Sequence, residues 1–271
     1  MTQALTTAQF ADVVENYAPL KAAYDWDNSG WNIRCHEEIR SILVCLDVTY
    51  AVLEEAKRIG ADTVLSHHPL LFHAPGKWMY DDPVCGVAME AVRAGINIYC
   101  AHTSFDCAPQ GLNIALAQKL GCSEIVPLAV ERYDDQSRPL MIAGTVGVLP
   151  QTMSAEQAAN YIKQKLGAAA VNMVGTEKPI VKVACVGGSG GDFMAETVRA
   201  GADALITGEV KHNMYQEARN LGIALFEAGH YDTEVLFSDY LTTCLQKEFF
   251  QLQYNLTVKR SEAEARPYQV V

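Results

Sequence analysis

The sequence predicts an α/β fold made of two related lobes, and three observations carry that reading. Short apolar runs of strand length alternate with stretches of helical spacing closed by glycine, the pattern of βαβ units around a parallel sheet. Two stretches of the second half line up with stretches of the first. The 271 residues, 49% hydrophobic and 20% charged, suffice for one large core or for two smaller ones.

The elements follow in order. Residues 7–17 place Phe10, Val13, Val14 and Tyr17 at helical spacing behind Thr6 or Thr7 as N-cap. Residues 39–48 form a continuous apolar run, followed by an amphipathic helix over about 50–59 that Gly60 closes. A strand over 62–66, a helix over 82–94, a strand over 97–101 and a helix over 111–120 continue the alternation. Around 127–139 the pattern gives way to a polar segment, Glu131 to Arg138, which reads as a loop or linker. Beyond it, strands over 140–149 and 170–174 flank a helix over 154–166. Strands over 181–186, 204–207 and 223–226 then alternate with helices over 192–200, 213–221 and 233–249, before a last strand over 253–259. The expected division is 1–126 plus 230–271 for the first lobe and 127–229 for the second, with the last long helix returning to the first lobe.

The repeat is short. Residues 58–67 align without gaps with 199–208, setting Gly60-Ala61-Asp62 against Gly201-Ala202-Asp203, and 95–102 align with 222–229. Helix–glycine–strand units resemble one another in any α/β protein, so duplication and a coincidence of class both fit.

Composition removes several functional classes. A net charge of −11, with no basic run, argues against nucleic acid as partner, because phosphate contacts need clustered Lys and Arg. No apolar run reaches membrane-spanning length. Residues 1–7 show neither the charged start nor the apolar core of a secretory signal. The eight cysteines form no C-x-x-C pair, and several lie in apolar strand-like runs, which suits a reduced, cytoplasmic protein.

Candidate chemistry gathers at the C-terminal ends of the expected strands, where open α/β sheets place ligands. Those ends carry His67-His68-Pro69, then His102 with Asp106, then Glu209 with Lys211 and His212, then His230 with Glu234. Five of the seven histidines lie in these four loops. Adjacent imidazoles diverge and can serve a pair of metals, and imidazole with carboxylate suits zinc, iron, manganese or nickel. His230 and Glu234, four apart, share one face if a helix begins there. Each feature alone also fits an ordinary loop contact or helix terminus. Gly187-Gly188-Ser189-Gly190-Gly191 joins a strand to a helix and reads either as an anion cradle or as a tight turn. It satisfies G-x-S-x-G only formally. Trp26-Asp27-Asn28-Ser29-Gly30 reads as a polar turn with an aromatic neighbour.

Taken together, these motifs resemble the GTP cyclohydrolase I type 2 homologue family of dinuclear metal proteins, in its short form. They are His67-His68-Pro69-Leu70-Leu71-Phe72, His102-Thr103-Ser104-Phe105-Asp106 with Gly111-Leu112-Asn113, Gly208-Glu209-Val210-Lys211-His212 and Gly229-His230-Tyr231-Asp232-Thr233-Glu234. Trp26-Asp27-Asn28-x-Gly30 and the Gly187–Gly191 loop join them. The resemblance implies two divalent ions in a cleft between the lobes, held by His67, His68, Asp106, His230 and a bridging Glu234, and a ring-shaped homohexamer. Ser104, Phe105, Cys107, Glu209 and Asn213 depart from the usual family residues, but none of these positions is an implied ligand. The implied activity is a cyclohydrolase-like, metal-dependent hydrolysis of a small molecule, a nucleotide or related heterocycle. His102 or Glu209 would carry the proton. Gly188, Ser189, Gly190 and Lys211 would contact phosphate, with Asp27 and Asn28 also on the substrate. A metal-binding regulatory protein without turnover and a two-metal phosphoesterase keep the same ligands.

Overall fold

A computed structural model describes residues 5–271; the first four of the seven residues read as lacking secretory-signal features lie outside them. Among the described residues no helix is long and apolar enough to cross a membrane. The chain forms two compact α/β units: the stretch ending at Phe105 with Phe237–Ala265, and Asp106–Leu236 with Arg266–Val271.

The first unit holds a five-stranded sheet in the order Thr257–Arg260, Ser41–Cys45, Thr63–Ser66, Asn97–Cys100, Gly30–Ile33. The first four strands are parallel and Gly30–Ile33 pairs antiparallel at one edge. Ile42 to Cys45 and Thr63 to Ser66 are buried at every position. A strand covered on both faces has no polar side, so it reads as an apolar run instead of an alternation. The helices Tyr50–Ile59 and Pro83–Ala94 start on side-chain caps from Thr49 and Asp82 and stop at left-handed Gly60 and Gly95. Leu53, Ala56, Val87 and Ala91 from these helices pack with Leu43, Val64 and Ile98 of the sheet. The buried Glu55 accepts from Ser261 Oγ at 2.6 Å and from the amide of Ala263 at 3.0 Å, tying the end of the last strand to the first helix of this layer. Burial pushes the Glu55 carboxyl up, and the hydrogen bonds from Ser261, Ala263 and Glu262 outweigh that and hold it below its ordinary value.

The second unit holds a six-stranded sheet in the order Ser123–Tyr133, Pro139–Met153, Ile180–Ser189, Ala204–Glu209, Ala224–Glu227, Asn172–Val174. Ile180–Ser189, Ala204–Glu209 and Ala224–Glu227 are parallel, and the other pairings are antiparallel. Residues 127–139, expected to be a loop or linker, are the tip of a long hairpin. Asp134 closes its turn by accepting from the Ser137 amide at 3.0 Å and from Arg138 Nε at 2.7 Å. The segment is polar because Ser123–Tyr133 is a solvent-facing edge strand, and charge on an edge blocks pairing with other chains. The helix expected over 233–249 is two helices, His230–Glu234 and Leu236–Gln251. Gly30–Ile33 was not anticipated, since an edge strand with Gly30 and Asn32 among its four residues shows no apolar run.

The short repeat has a physical counterpart. Asp62 accepts the amides of Arg40 and Ser41, and Asp203 accepts those of Val181 and Lys182. The Asp62 amide donates to Ser41 O and the Asp203 amide to Lys182 O. In turn Asp62 O accepts from Asn97 N, and Asp203 O from Ala224 N. Each aspartate thus ties the starts of three parallel strands together. Gly60 and Gly201, two residues earlier, are left-handed with φ of 70° and 65°. The aligned residues do the same structural work in both units.

Candidate metal centre

His67 and His68 leave the C-terminal end of Thr63–Ser66, where their amides extend the parallel ladder to Cys45 O at 3.1 Å and Leu46 O at 2.9 Å. His102 leaves the next strand, just past Ala101, whose amide donates to Ser66 O at 2.9 Å. Parallel strands in register therefore deliver all three imidazoles to one sheet edge. His67 is fully buried, its ring 4.9 Å from that of Phe237.

Each of the three rings has its Nδ1 tied to an oxygen. His67 Nδ1 lies 3.0 Å from Ala101 O, His68 Nδ1 2.8 Å from Asp47 Oδ1 and His102 Nδ1 2.7 Å from Asp27 Oδ1. A carbonyl or an ionised carboxylate can only accept, so each Nδ1 carries the hydrogen and each neutral ring keeps its lone pair at Nε2. That is how ligating histidines are oriented by the groups behind them. These three side chains offer ligand atoms within 4.8 Å of one another. The residues present therefore suit a divalent ion.

Asp27 is the most constrained of the backing groups, with its side chain wholly buried. Its oxygens accept from His102, from Ser29 Oγ at 2.6 Å, and from Thr103 Oγ at 2.7 Å and amide at 3.1 Å. Burial pushes the carboxyl up, but the hydrogen bonds from His102, Ser29 and Thr103 outweigh it and hold Asp27 well below the usual carboxylate range. It faces His102 and also lines the neighbouring cleft with Trp26 and Asn28. An Asp27→Asn protein would keep the shape but let His102 change tautomer. Ring nitrogen-15 NMR should then show the His102 proton shared with Nε2, where wild type keeps it on Nδ1.

In the second unit His230 and Glu234 stand on the helix His230–Glu234, with His230 Nε2 2.8 Å from Glu234 Oε2 and His230 Nδ1 3.4 Å from Glu209 Oε1. Two ligands bonded to one ion at about 2.1 Å lie roughly 3 Å apart, so the 2.8 Å spacing suits a shared ion. Glu234 is only 3% exposed. Gly188, at φ +60°, presses bare backbone against it: a Cβ there would lie 2.1 Å from Glu234 Oε1. Gly208, which the repeat aligns with His67, is closed in the same way by Thr233 Oγ and the Gly188 carbonyl. That crowding is why a histidine is tolerated in one copy and only glycine in the other.

The glycine loop has its amides engaged within the protein. Those of Gly187, Gly188 and Gly190 donate to Asn113 Oδ1 at 2.9 Å, Thr233 Oγ at 3.2 Å and Thr207 Oγ at 2.9 Å. Those three amides are not turned outward as in an anion cradle. Ser189 is exposed beside Glu209 in the strand register, and Lys211 is exposed at the start of the helix His212–Leu221. Asn113 Nδ2 also donates to the Asp106 carbonyl at 2.8 Å, so one side chain joins Asp106 to the glycine loop. Sequence reasoning gave no role to Asn113, Asp47, Thr207 or Thr233. Asp47 and Thr207 did carry a signal, since both sit at strand ends like the histidines they accompany.

A Clostridium perfringens protein named GTP cyclohydrolase 1 type 2 homolog is 31% identical over 82% of this chain and 84% of its own. One of the same name from Nostoc is 34% identical over 76% and 78%. The crystal structure of a Bacillus cereus protein related to NIF3 matches with a TM-score of 0.93 at 20% identity, covering all of both chains. A Staphylococcus aureus structure matches with 0.93 at 26% identity, covering 99% of this chain and all of that one. With residues 5–267 matching its pattern, this chain belongs to the family described as Duf34/NIF3 (NGG1p interacting factor 3).

Proposed function

We propose that the protein is a dinuclear, divalent-metal-dependent hydrolase acting on a nucleotide or related heterocycle. His67, His68, Asp106, His230 and Glu234 would hold the ions. The observation that carries this reading is the group His67, His68 and His102, whose ligand atoms lie within 4.8 Å of one another, with His67 and His68 each held through Nδ1 by an oxygen. The relatives' name supports heterocycle hydrolysis.

When bound, the ions supply Lewis acidity, polarising the attacked group and making water nucleophilic near neutral pH. The chain's own residues supply orientation and proton transfer. Asp27 fixes His102 with Nε2 basic, so that this atom accepts a proton during attack and returns it to the leaving nitrogen or oxygen. Glu209, half exposed beside His230, is the second proton carrier.

The test is turnover. Protein loaded separately with zinc, iron, manganese and nickel is incubated with nucleotides, pterins and phosphoesters, and the products are followed by chromatography. Hydrolysis of a ring-bearing substrate that His102→Ala lowers by about 100-fold or more supports the assignment. Hydrolysis confined to phosphoesters moves it to the phosphoesterase class. No turnover from fully metal-loaded protein moves it to a metal-binding regulator.

A further inference from the structure

The first unit carries an aromatic cleft of about 470 Å³ beside the histidine cluster, lined by Trp26, Asn28, Leu71, Phe72, His73 and Trp78. Its aromatic walls face solvent: Trp26 is 58% exposed, Trp78 54% and Phe72 40%. Three large exposed aromatics around one cleft are a costly surface for a protein to keep, and mark a binding site.

The walls are held in place. Tyr24 stacks on the Trp26 indole at 5.4 Å with the planes 10° apart, bracing one side of that ring. The loop bearing Phe72 is tied to the Trp26 turn, since Asn28 Nδ2 donates to Leu71 O and the Leu71 amide donates to Asn32 Oδ1 at 3.0 Å. Asn32 in turn donates to Asn28 O at 3.1 Å. His102 lies beside these walls, its ring 6.3 Å from that of Trp26 and 6.2 Å from that of Phe72. Asn28 and His73 supply polar atoms along the rim.

We propose that this cleft binds a planar nitrogen heteroaromatic ring, stacked on Trp26 between Phe72 and Trp78, with its reacting edge towards His102. Aromatic faces suit π-faces, and the rim's amide and imidazole suit the ring's nitrogens and exocyclic groups. A bicyclic ring fits within such a cleft, whereas an aliphatic sugar or a bare phosphate would gain nothing from three aromatic walls. That the bound ring is then hydrolysed rests on the function proposed above, but the stacking itself needs no metal.

The test therefore uses the full chain after metal has been stripped by chelation. Two of the three tryptophans line the cleft, while Trp31 packs against Phe10 and Tyr99, so intrinsic fluorescence reports on the site. Guanosine and neopterin are titrated as aromatic probes with ribose 5-phosphate as control, and calorimetry confirms each affinity. The proposal expects saturable quenching by one or both aromatic probes and none by ribose 5-phosphate. Trp26→Ala and Trp78→Ala should each weaken binding about tenfold or more, Trp26→Phe should restore most of it, and metal content after reloading should match wild type. Binding in a protein that takes up no metal would leave the cleft standing and overturn the metal centre. Normal metal content with no response to either aromatic probe, stripped or loaded, would overturn the cleft alone. Tryptophans shielded from acrylamide until the protein is diluted would also overturn it, because a second copy of the chain would then occupy the cleft.

Discussion

Replacing Gly188 by alanine is expected to destabilise the protein by about 2–4 kcal/mol and to disable Glu234. The residue sits at φ +60°, a conformation that any Cβ makes strained, and the added methyl would lie 2.1 Å from Glu234 Oε1. The carboxylate has little room to retreat, being 3% exposed, with its other oxygen 2.8 Å from His230 Nε2. The backbone has none either, because the Gly188 amide donates to Thr233 and its carbonyl accepts from Thr207. Denaturant unfolding reads the loss of stability, and metal analysis of the folded fraction reads the loss of Glu234. Gly201→Ala is the control. It shares the positive φ, but nothing lies within 4 Å of its Cβ position, so it should cost only about 1 kcal/mol and leave metal content unchanged. Equal effects from the two substitutions would show that backbone strain, not contact with Glu234, sets the requirement for glycine at 188.

Glu234→Gln is expected to abolish metal retention with the fold intact. The side chain keeps its size and loses its charge, and a neutral amide is a poor partner for a divalent ion in a buried site. Under the dinuclear reading, a bridging carboxylate serves both ions. Metal content by mass spectrometry should then fall from about two per chain to near zero, whereas His68→Ala should retain about one. Thermal denaturation with and without chelator separates folding from binding: wild type should lose stability on chelation and Glu234→Gln should not. A Glu234→Gln protein that still holds about two ions would remove Glu234 from the ligand set.

Much of this was legible in one dimension. The helix ends at Gly60, Gly95 and Gly222 could be placed closely because a left-handed cap is written locally, as a glycine after an amphipathic run. The parallel strands showed as apolar runs because both of their faces are covered. Candidate ligands stood out because strand ends are where chemistry concentrates in such sheets, and His67, His102, His230 and Glu234 all follow strands. The strand Ser123–Tyr133, which pairs with the anticipated one at Pro139–Met153, was missed for the converse reason, since an exposed edge strand has the composition of a loop.

Residue types, their order along the chain and their attachment to strand ends were available before any folding was considered, because all three follow from local periodicity and covalent spacing. Partnership was not. Asp27 reached His102 across 75 residues of sequence, and the Nδ1–H that leaves Nε2 basic exists only because the fold brings the two together. The same holds for Gly188 against Glu234 and for Trp26 against Phe72. Sequence spacing sets how far a side chain can reach along its own element. Which tautomer a histidine keeps, which glycine must stay bare and which aromatic face meets solvent are decided by groups that only tertiary packing brings within a few ångströms.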